Sequence, residues 1–506
     1  MTDHVDVLIV GAGLSGIGAA HHVQSAFPER TYAILEAREE IGGTWDLFRY
    51  PGVRSDSDMA TLGYRFRPWT AAEAIADGPS ILRYIRDTAA DAGIDRRIRF
   101  GHRVIRASWS SSEARWTVQV EHDGTTSTLT CQFLYVCSGY YRYDQGYTPD
   151  FAGAQEFRGT IVHPQQWPAD LDYAGKRVVV IGSGATAVTM VPAMAETAVH
   201  VTMLQRSPTY ILSAPTEDVV ATRLRALLGP RRAYAITRWK NVAISTLIYQ
   251  LSQRRPEMMR KFIRTQTVKQ LPEGYDVDTH FNPVYGPWDQ RLCLVPDADL
   301  FRSLRAGDAS VVTDHIDRFT PNGIRLKSGA ELPADIVVTA TGLRLLALGA
   351  IELVVDGRAI TPPETMAYKG MMLGGVPNFA FTLGYTNASW TLKADLVGEF
   401  VCRLLRHMDT NGYDQCTPWP DPSIAETPLL DFQAGYVLRA LDQFPKAGSR
   451  APWRLGMNYA QDVLTLRHGR IEDGVVRFTT RSAAAALPRA VTDFAPDDRD
   501  PEQVTA

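Results

Sequence analysis

The sequence predicts an α/β protein in which two Rossmann-like dinucleotide-binding domains are nested and a helical insertion interrupts the second. The first observation is a repeat, because Val5–Gly16 (VDVLIVGAGLSG) reappears as Lys176–Ala187 (KRVVVIGSGATA). The second is a pair of apolar strands that end in a glycine-closed corner, Phe133–Gly139 and Asp335–Gly342. The third is the glycine-poor, Arg- and Leu-rich stretch 216–288, which is typical of helices. Each fold therefore has an opening and a closing strand.

The order of the closing strands predicts how the chain is divided. It implies that the second fold is inserted into the first after about Tyr147, and that the first fold resumes near Leu343. The final residues are rich in Ala, Pro and Asp, which is typical of a loose tail. The predicted segments are 1–146 and 343–481 for the first fold, 147–215 and 289–342 for the second, 216–288 for the helical insertion, and 482–506 for the tail.

Composition argues against several classes of protein. The 506 residues are 45% hydrophobic and carry a formal net charge of -3, which offers no overall field for a nucleic acid partner. The chain enters an apolar run at Val5, which leaves no room for an export signal. We expect a cytoplasmic protein without a metal site, because no CxxC pair or metal-ligand spacing occurs among Cys131, Cys137, Cys293, Cys402 and Cys416.

The first glycine turn has the form of a phosphate cradle. Gly11, Gly13 and Gly16 follow a strand and open a helix, so that backbone N–H groups can face a pyrophosphate. Glu36 ends the next apolar run, 20 residues after Gly16, where a carboxylate can accept hydrogen bonds from ribose hydroxyls. An incidental turn is the alternative, but the strand and the acid together favour a dinucleotide.

The second cradle discriminates between two nucleotides. Gly182, Gly184 and Ala187 repeat the pattern, with alanine in the third place. Arg206 and Ser207 follow the next strand, where the first fold has its acid. A carboxylate would repel a 2′-phosphate, whereas a guanidinium and a hydroxyl can bind it through charge-assisted hydrogen bonds. The sequence therefore predicts NADPH rather than NADH in this fold, with an incidental surface arginine as the alternative.

Two further motifs narrow the chemistry. One is GGTWDLFRYPGVRSD (Gly42–Asp56), and the other is FRGTIVHPQQWP (Phe157–Pro168), just before the second cradle. Together they resemble the fingerprints of the type I Baeyer–Villiger monooxygenases, which are class B flavoprotein monooxygenases. The related N- and S-oxygenating enzymes usually lack the final Trp-Pro of the second motif. The similarity covers nearly the whole chain and points to the ethionamide-activating branch through the segments WDLFRYPGVRSDSDM, WDQRLCLVP, MAYKGMML and GYTNASWTLKADL.

The resemblance implies FAD in the first fold and NADPH in the second. Beyond the cradle glycines, it places further residues at the two cofactors. The residues that it assigns to FAD are Ser15, Glu36, Thr44, Trp45, Asp46, Leu47 and the backbone at Val104. Those that it puts between the flavin and the nicotinamide are Arg54, Ser55 and Asp56, and those that it assigns to NADP are Ser183, Gly184, Ala185, Thr186, Ala187, Arg206 and Ser207.

The resemblance also implies an activity. This is the NADPH- and O2-dependent oxidation of ketones to esters or lactones, and of thioethers and thioamides at sulfur, through a C4a-peroxyflavin. Arg291 matches the family's essential arginine, and a guanidinium that stays charged can stabilise a peroxide and an oxyanion. Asp56 would orient Arg291, with a structural salt bridge as the alternative. Gln290 stands where many relatives have a lysine, so a weaker NADPH preference is expected.

Other residues are expected to act without touching the reacting atoms. The second fingerprint lies between the two cradles, so we interpret it as a linker that couples the domains. Trp390 and Trp453 are expected at a substrate pocket that the insertion also lines, which favours bulky apolar ketones or sulfides. The residues of this fingerprint are Phe157, Gly159, His163, Trp167 and Pro168.

Alternative functions stay open at this point. One is a flavin-containing oxygenase restricted to nitrogen and sulfur, and another is a non-catalytic flavoprotein that senses redox state. A pyridine-nucleotide disulfide reductase is disfavoured, because the sequence has no redox-active cysteine pair. The basic stretch Arg254–Lys269 is compatible with a helix on an anionic membrane, but a solvated outer face is favoured. The oligomeric state is not predicted.

Overall fold

The computed structural model describes residues 3–290, 292–430 and 432–481. The predicted tail, 482–506, and the predicted catalytic residue Arg291 lie outside the described residues. The helices are α1 (Leu14–Ala26), α2 (Thr44–Leu47), α3 (Met59–Leu62), α4 (Gly78–Asp91), α5 (Ala185–Ala195), α6 (Val219–Leu228), α7 (Pro230–Arg254), α8 (Pro256–Gln270), α9 (Val277–Phe281), α10 (Asp299–Ala306), α11 (Trp390–Asn411), α12 (Gly435–Leu438) and α13 (Tyr459–Asp462).

The strands are mostly short. They are β1 (Asp3–Val10), β2 (Tyr32–Leu35), β3 (Ile98–Arg99), β4 (Arg103–Ser110), β5 (Arg115–His122), β6 (Thr125–Val136), β7 (Thr160–Val162), β8 (Arg177–Ile181), β9 (His200–Gln205), β10 (Ile211–Ala214), β11 (Cys293–Pro296), β12 (Ala309–Thr313), β13 (Ile316–Thr320), β14 (Gly323–Leu326), β15 (Glu331–Pro333), β16 (Ile336–Thr339), β17 (Glu352–Val355), β18 (Arg358–Ile360), β19 (Ala367–Tyr368), β20 (Met372–Leu373), β21 (Phe379–Phe381), β22 (Gln415–Pro418), β23 (Glu426–Pro428), β24 (Lys446–Gly448) and β25 (Val476–Thr479).

The first sheet is centred on β1, which pairs in parallel with β2 on one side and with β6 on the other. Val7, Leu8 and Ile9 are fully buried, as expected of a parallel strand covered on both faces. β3 and β21 extend the parallel part, while β5, β4, β17 and β18 continue the sheet beyond β6. The helices α1 and α11 share one apolar core below this sheet.

The second sheet is wholly parallel, in the order β12-β9-β8-β16-β7. The opening strand β8 and the closing strand β16 are neighbours, just as β1 and β6 are neighbours in the first sheet. β16 comes from the predicted closing segment Asp335–Gly342, and the chain then returns to the first sheet at β17. The predicted fold class, two nested Rossmann-like domains, is therefore confirmed.

The insertion leaves and re-enters the second fold at a two-stranded parallel ribbon, β10 and β11. Four helices, α6 to α9, lie between these strands in the chain. Within the described residues, no helix combines the length and apolar character that crossing a bilayer needs. The long helix α7 packs on α3 of the first fold and thereby joins the insertion to it.

A buried ion pair fixes this contact. Arg238 of α7 is 4% exposed, donates a hydrogen bond to the carbonyl oxygen of Gly63 (2.7 Å), and lies 3.3 Å from the Asp395 carboxylate on α11. Asp395 also accepts the Arg65 amide (3.1 Å) and contacts His22 (3.3 Å). Burial by itself raises the pKa of Asp395, but these contacts lower that pKa below its ordinary value. The carboxylate therefore stays charged within the core.

We expect Arg238→Met to destabilise the protein by about 3–5 kcal/mol, because it leaves the Asp395 charge buried without its cation. The loss should appear as a lower urea midpoint of unfolding, followed by tryptophan fluorescence. The double variant Arg238→Met/Asp395→Leu should recover much of the loss, since both charges are then removed. Arg96, an exposed arginine elsewhere, provides the control Arg96→Met. Equal midpoints for the wild type and Arg238→Met would contradict this role.

Candidate active site

The first cradle accepts only glycine at two of its positions. Gly11 has φ +103, and a Cβ there would lie 2.7 Å from the carbonyl oxygen of Cys137. A Cβ at Gly16 would lie 1.8 Å from the carbonyl oxygen of Gly11. Within the described chain no side chain caps α1 at Gly13, so the N–H groups of its first turn are available to a phosphate.

A cavity of about 660 Å³ extends from this cradle to the start of α11. Its volume lies within the range of ligand pockets, roughly 300–1,000 Å³. The predicted FAD and nicotinamide residues that line it are Gly11, Gly13, Ser15, Glu36, Thr44, Trp45, Ser55, Asp56 and Val104. Those that do not line it are Gly16, Asp46, Leu47 and Arg54.

Glu36 lies at the ribose position of the cavity. Its Oε2 accepts the Ala12 amide (2.7 Å) and its Oε1 accepts the Arg38 amide (2.9 Å). Burial raises the pKa of Glu36, and these two amides oppose that rise. Each carboxylate oxygen keeps a second lone pair for a ribose hydroxyl. The cradle, this acid and the cavity volume together fit FAD.

Asp46 departs from its implied role, because it faces away from the cavity. Its carboxylate lies 2.6 Å from Arg38, 3.2 Å from Arg49 and 3.4 Å from Arg86. The physical reason is that α2 is a single helical turn, so four consecutive residues cannot all face one side. Asp46 instead holds Arg38, whose side chain lines the cavity.

Trp390 forms a wall of the cavity beside the first turn of α1. Its Nε1 donates a hydrogen bond to the Ser15 hydroxyl (2.7 Å), and its ring stacks on Tyr140 with centroids 5.0 Å apart. Trp453, which we expected beside it, is instead fully buried and packs edge-on against Tyr368. It lines none of the described cavities and belongs to the core under the first sheet.

The second cradle repeats the geometry of the first. Gly182 has φ +137, and a Cβ there would lie 2.4 Å from the carbonyl oxygen of Ala340. α5 begins directly after Gly184, so Ala185 and Thr186 form its first turn, and Ala187 is buried behind them. The Ser183 hydroxyl donates to the carbonyl oxygen of Ser207 (3.1 Å). The cradle and the end of β9 are thus tied together.

Arginines without an acidic partner in the described chain gather beside this cradle. Arg206 is exposed just after β9. The Arg439 guanidinium lies 3.6 Å from the Tyr147 ring centroid, and a Cβ at Gly342 would lie 3.5 Å from it. Burial lowers the pKa of Arg439, the Tyr147 hydroxyl opposes this, and Arg344 and Arg206 lower it further. The Nε of Arg344 is buried without a described hydrogen-bond partner. Such a cluster suits an anion.

The segment Tyr50–Asp56 joins the two folds. Burial raises the pKa of Tyr50 to about 12, and a hydrogen bond between its hydroxyl and Thr186 opposes that rise. A Cβ at Gly52 would lie 2.7 Å from the carbonyl oxygen of Thr189 in α5. The segment therefore rests directly on the helix that opens the second cradle.

The last three residues of this segment diverge. Ser55 and Asp56 line the 660 Å³ cavity. Arg54 turns to the other side and pairs with Asp299 at the start of α10 (2.5 Å), where it lines a groove of about 1350 Å³. The resemblance had placed all three residues between the flavin and the nicotinamide. Arg54 acts here as a contact between the folds, because its guanidinium pairs with an acidic residue of the second fold.

His163 lies where the chain crosses between the folds. A Cβ at Gly146, in the first crossing, would lie 2.1 Å from the imidazole, and Nε2 lies 3.2 Å from the carbonyl oxygen of Gly342, in the second crossing. Nδ1 accepts the Gln165 amide (3.1 Å). Burial lowers the pKa of His163, so near pH 7 the neutral ring can donate from Nε2. One side chain therefore contacts both crossings.

The remaining fingerprint residues belong to the second fold. Phe157 is buried in its core, and a Cβ at Gly159 would lie 2.2 Å from the carbonyl oxygen of Asp335. Trp167 packs against the same fold, while Pro168 is exposed. None of these residues lines the described cavities.

Four residues at these sites were missed by sequence reasoning. Arg38 and Arg344 each stand two residues after a motif, beyond Glu36 and Gly342, so a search of neighbouring positions would have found them. Gln165 lies within the fingerprint and donates to the carbonyl oxygen of Arg142 (2.7 Å) in the first crossing. Arg439 is distant from both cradles in the sequence, and no local signal marks it.

Comparisons with known proteins agree with this geometry. The model for the flavin-binding monooxygenase-like family matches residues 75–265, and that for an NAD(P)-binding Rossmann-like domain matches residues 9–71. The FAD-containing monooxygenase EthA of Mycobacterium tuberculosis H37Rv is 59% identical over 489 residues, which cover 96% of this chain and 100% of that protein. EthA of Mycolicibacterium smegmatis is 56% identical over 488 residues, which cover 96% and 99% respectively.

Solved structures share the fold at lower identity. A steroid monooxygenase bound to NADP superposes with a TM-score of 0.76 at 24% identity, over 94% of this chain and 100% of that chain. The near-complete match to EthA, at an identity well above that of a shared fold alone, shows the family as well. This chain belongs to the family of FAD-containing monooxygenases that includes EthA.

Proposed function

We propose that this enzyme converts ketones to esters or lactones and oxygenates thioethers and thioamides at sulfur. Each turnover would consume one O2 and one NADPH with a proton, and would release the oxygenated product, NADP and water. The two cradles, the fingerprints and the kinship with EthA support this proposal.

One observation carries the proposal most directly. The segment Tyr50–Asp56 rests on α5 at one end and lines the FAD cavity at the other. A nucleotide phosphate at the N-terminus of α5 and a flavin near Asp56 would therefore be held by the same short stretch of chain. Electron transfer between two cofactors needs this kind of fixed approach.

FAD supplies the redox chemistry when bound, since it accepts electrons from NADPH and activates dioxygen for transfer of one oxygen atom. The chain's own residues orient the reacting groups and stabilise the negative charge that develops on them. The start of α11 at Trp390 favours negative charge at the end of the cavity. We assign to Arg291 the permanent cation that stabilises the oxyanion formed from a ketone, and to Asp56 the orientation of that cation.

The substrate class follows from the same end of the cavity. Leu62, Tyr385, Ala388 and Trp390, whose side chains are largely apolar, line the cavity there. We therefore propose bulky apolar ketones and sulfides as substrates.

The five thiols are all buried, which suits the reducing cytoplasm that we propose as the location of this enzyme. We also propose that the chain is divided as the sequence predicts: 1–146 and 343–481 form the first fold, 147–215 and 289–342 the second, 216–288 the helical insertion and 482–506 the tail.

We further propose that two arginines divide the recognition of NADP. Arg206, beyond the end of β9, takes the 2′-phosphate. Arg439 lies against Gly342, just after β16, the strand next to the cradle strand β8, and takes the pyrophosphate. The Tyr147 ring holds the Arg439 guanidinium in place, and a bound phosphate would relieve the repulsion among these cations.

With phenylacetone or 2-octanone, we expect the wild type to form esters while it consumes NADPH and O2. In the Arg291→Ala variant, NADPH should reduce the flavin at the wild-type rate. The rate of ester formation should fall by on the order of 10²–10³-fold, because the oxyanion loses its cation. Arg291→Lys keeps a charge and serves as the matched control. Unaltered ester yield would refute the role of Arg291. Sulfide oxidation by the wild type without ester from any ketone would refute the Baeyer–Villiger activity.

Arg206→Ala should raise the Michaelis constant for NADPH by roughly tenfold and leave that for NADH nearly unchanged, since only NADPH has the 2′-phosphate. Steady-state oxidation of both nucleotides measures this difference. Arg96→Ala, at a distant exposed arginine, is the control. Equal changes for both nucleotides would argue against the assigned contact.

Arg439→Ala, in contrast, should weaken NADP and NAD by a similar factor, roughly tenfold, because both carry the pyrophosphate. Titration of the oxidised holoenzyme, followed by the flavin absorbance, gives the two dissociation constants without turnover. Arg439→Lys should retain part of the affinity, as it keeps the charge. Unchanged dissociation constants in Arg439→Ala would remove this residue from the site.

A further inference from the structure

The outer side of the helical insertion carries a concentration of exposed apolar side chains. α6 contains no buried residue, and its Leu227 is 79% exposed. Eleven of the sixteen large hydrophobic residues that are exposed in the described chain belong to α6, α7 and α8. We call these eleven the insertion face: Val219, Val220, Leu227, Leu228, Ile236, Trp239, Ile244, Leu247, Met258, Phe262 and Val268.

The exposed residues of α7 occupy one side of that helix. Ile236 and Leu247 are separated by eleven residues, about three turns, so they point the same way. Arg238, which is buried against the first fold, points to the other side. α8 has the same division, with Met258 and Phe262 exposed one turn apart. The apolar side chains thus face outward while the opposite sides of the helices pack on the protein.

The same helices are strongly basic. Between Val219 and Leu271 the sequence has twelve Lys or Arg residues and one acidic residue, Glu257, although the whole chain carries a net charge of -3. Arg254 lies seven residues, about two turns, after Leu247 and so shares its side of α7. Eight of these twelve cations have no acidic partner among the described residues: Arg223, Arg225, Arg231, Arg232, Arg254, Arg255, Lys261 and Lys269.

We propose that the insertion face docks on an anionic lipid surface. Exposed Leu, Ile and Phe side chains enter the headgroup region, and the surrounding Lys and Arg side chains attract anionic headgroups. In this arrangement the helices lie on the membrane surface.

Two other occupants fit less well. A second copy of this face would bring two strongly basic surfaces together, and the cores of protein interfaces are depleted of charge. A nucleic acid would use the cations but leave the apolar side chains in water. An anionic membrane offers both a counter-charge for the cations and a nonpolar environment for the apolar side chains. We therefore favour it over the other two occupants.

Co-sedimentation of the holoenzyme with lipid vesicles tests the proposal. We expect binding to vesicles of equal parts phosphatidylcholine and phosphatidylglycerol at low salt, weaker binding at high salt, and little binding to phosphatidylcholine alone. Arg232→Glu/Arg254→Glu/Lys261→Glu should weaken binding by at least about tenfold. Leu227→Ser/Leu247→Ser/Phe262→Ser should also weaken it. Both variants should retain bound FAD and NADPH oxidation without vesicles.

The matched controls lie elsewhere on the surface. Val199 is 64% exposed outside the insertion, and Arg96 is exposed on the first fold, so Val199→Ser and Arg96→Glu should bind vesicles as the wild type does. Wild-type protein that stays in solution, or variants of the face that bind like the wild type, would overturn the proposal. So would light scattering that shows a dimer which the apolar variants convert to a monomer.

Discussion

The relative position of the two nucleotide folds is the constraint on which the rest of this enzyme depends. Redox transfer requires reacting atoms to be held roughly 3–3.5 Å apart, so small shifts between the folds matter. The chain passes between the folds twice, and His163 touches both crossings, at Gly146 and Gly342. Tyr50 and Gly52 add a direct contact on α5. The fingerprints of the sequence therefore encode the joint between the domains as much as the reaction.

Permanent cations divide into two groups by what they pair with. Arg238 is buried and has its carboxylate, Asp395, inside the protein, because an unpaired charge in a core is costly. Arg206 and Arg439 lie beside the second cradle with no acidic partner in the described chain. Their counter-charge would come from a phosphate of the nucleotide. Arg238 therefore stabilises the fold, whereas Arg206 and Arg439 are available to a ligand.

The two sides of the insertion differ in what they contact. On the inner side α7 braces α3, whose Leu62 lines the FAD cavity. On the outer side Leu247 and Arg254 face away from the folds. One helix thus connects the wall of the cofactor cavity to the basic, apolar outer surface of the molecule.

The sequence by itself determined the elements whose physics is local. A phosphate cradle needs glycine at fixed spacing, so Gly11 and Glu36 were found directly, and the opening and closing strands predicted the nesting. Only the tertiary structure decided that Asp46 turns from the cavity, that Trp453 lies in the core, and that Arg439 reaches the second cradle. These placements depend on which way a short turn faces and on contacts between segments far apart in the chain, and no local spacing of residues records either.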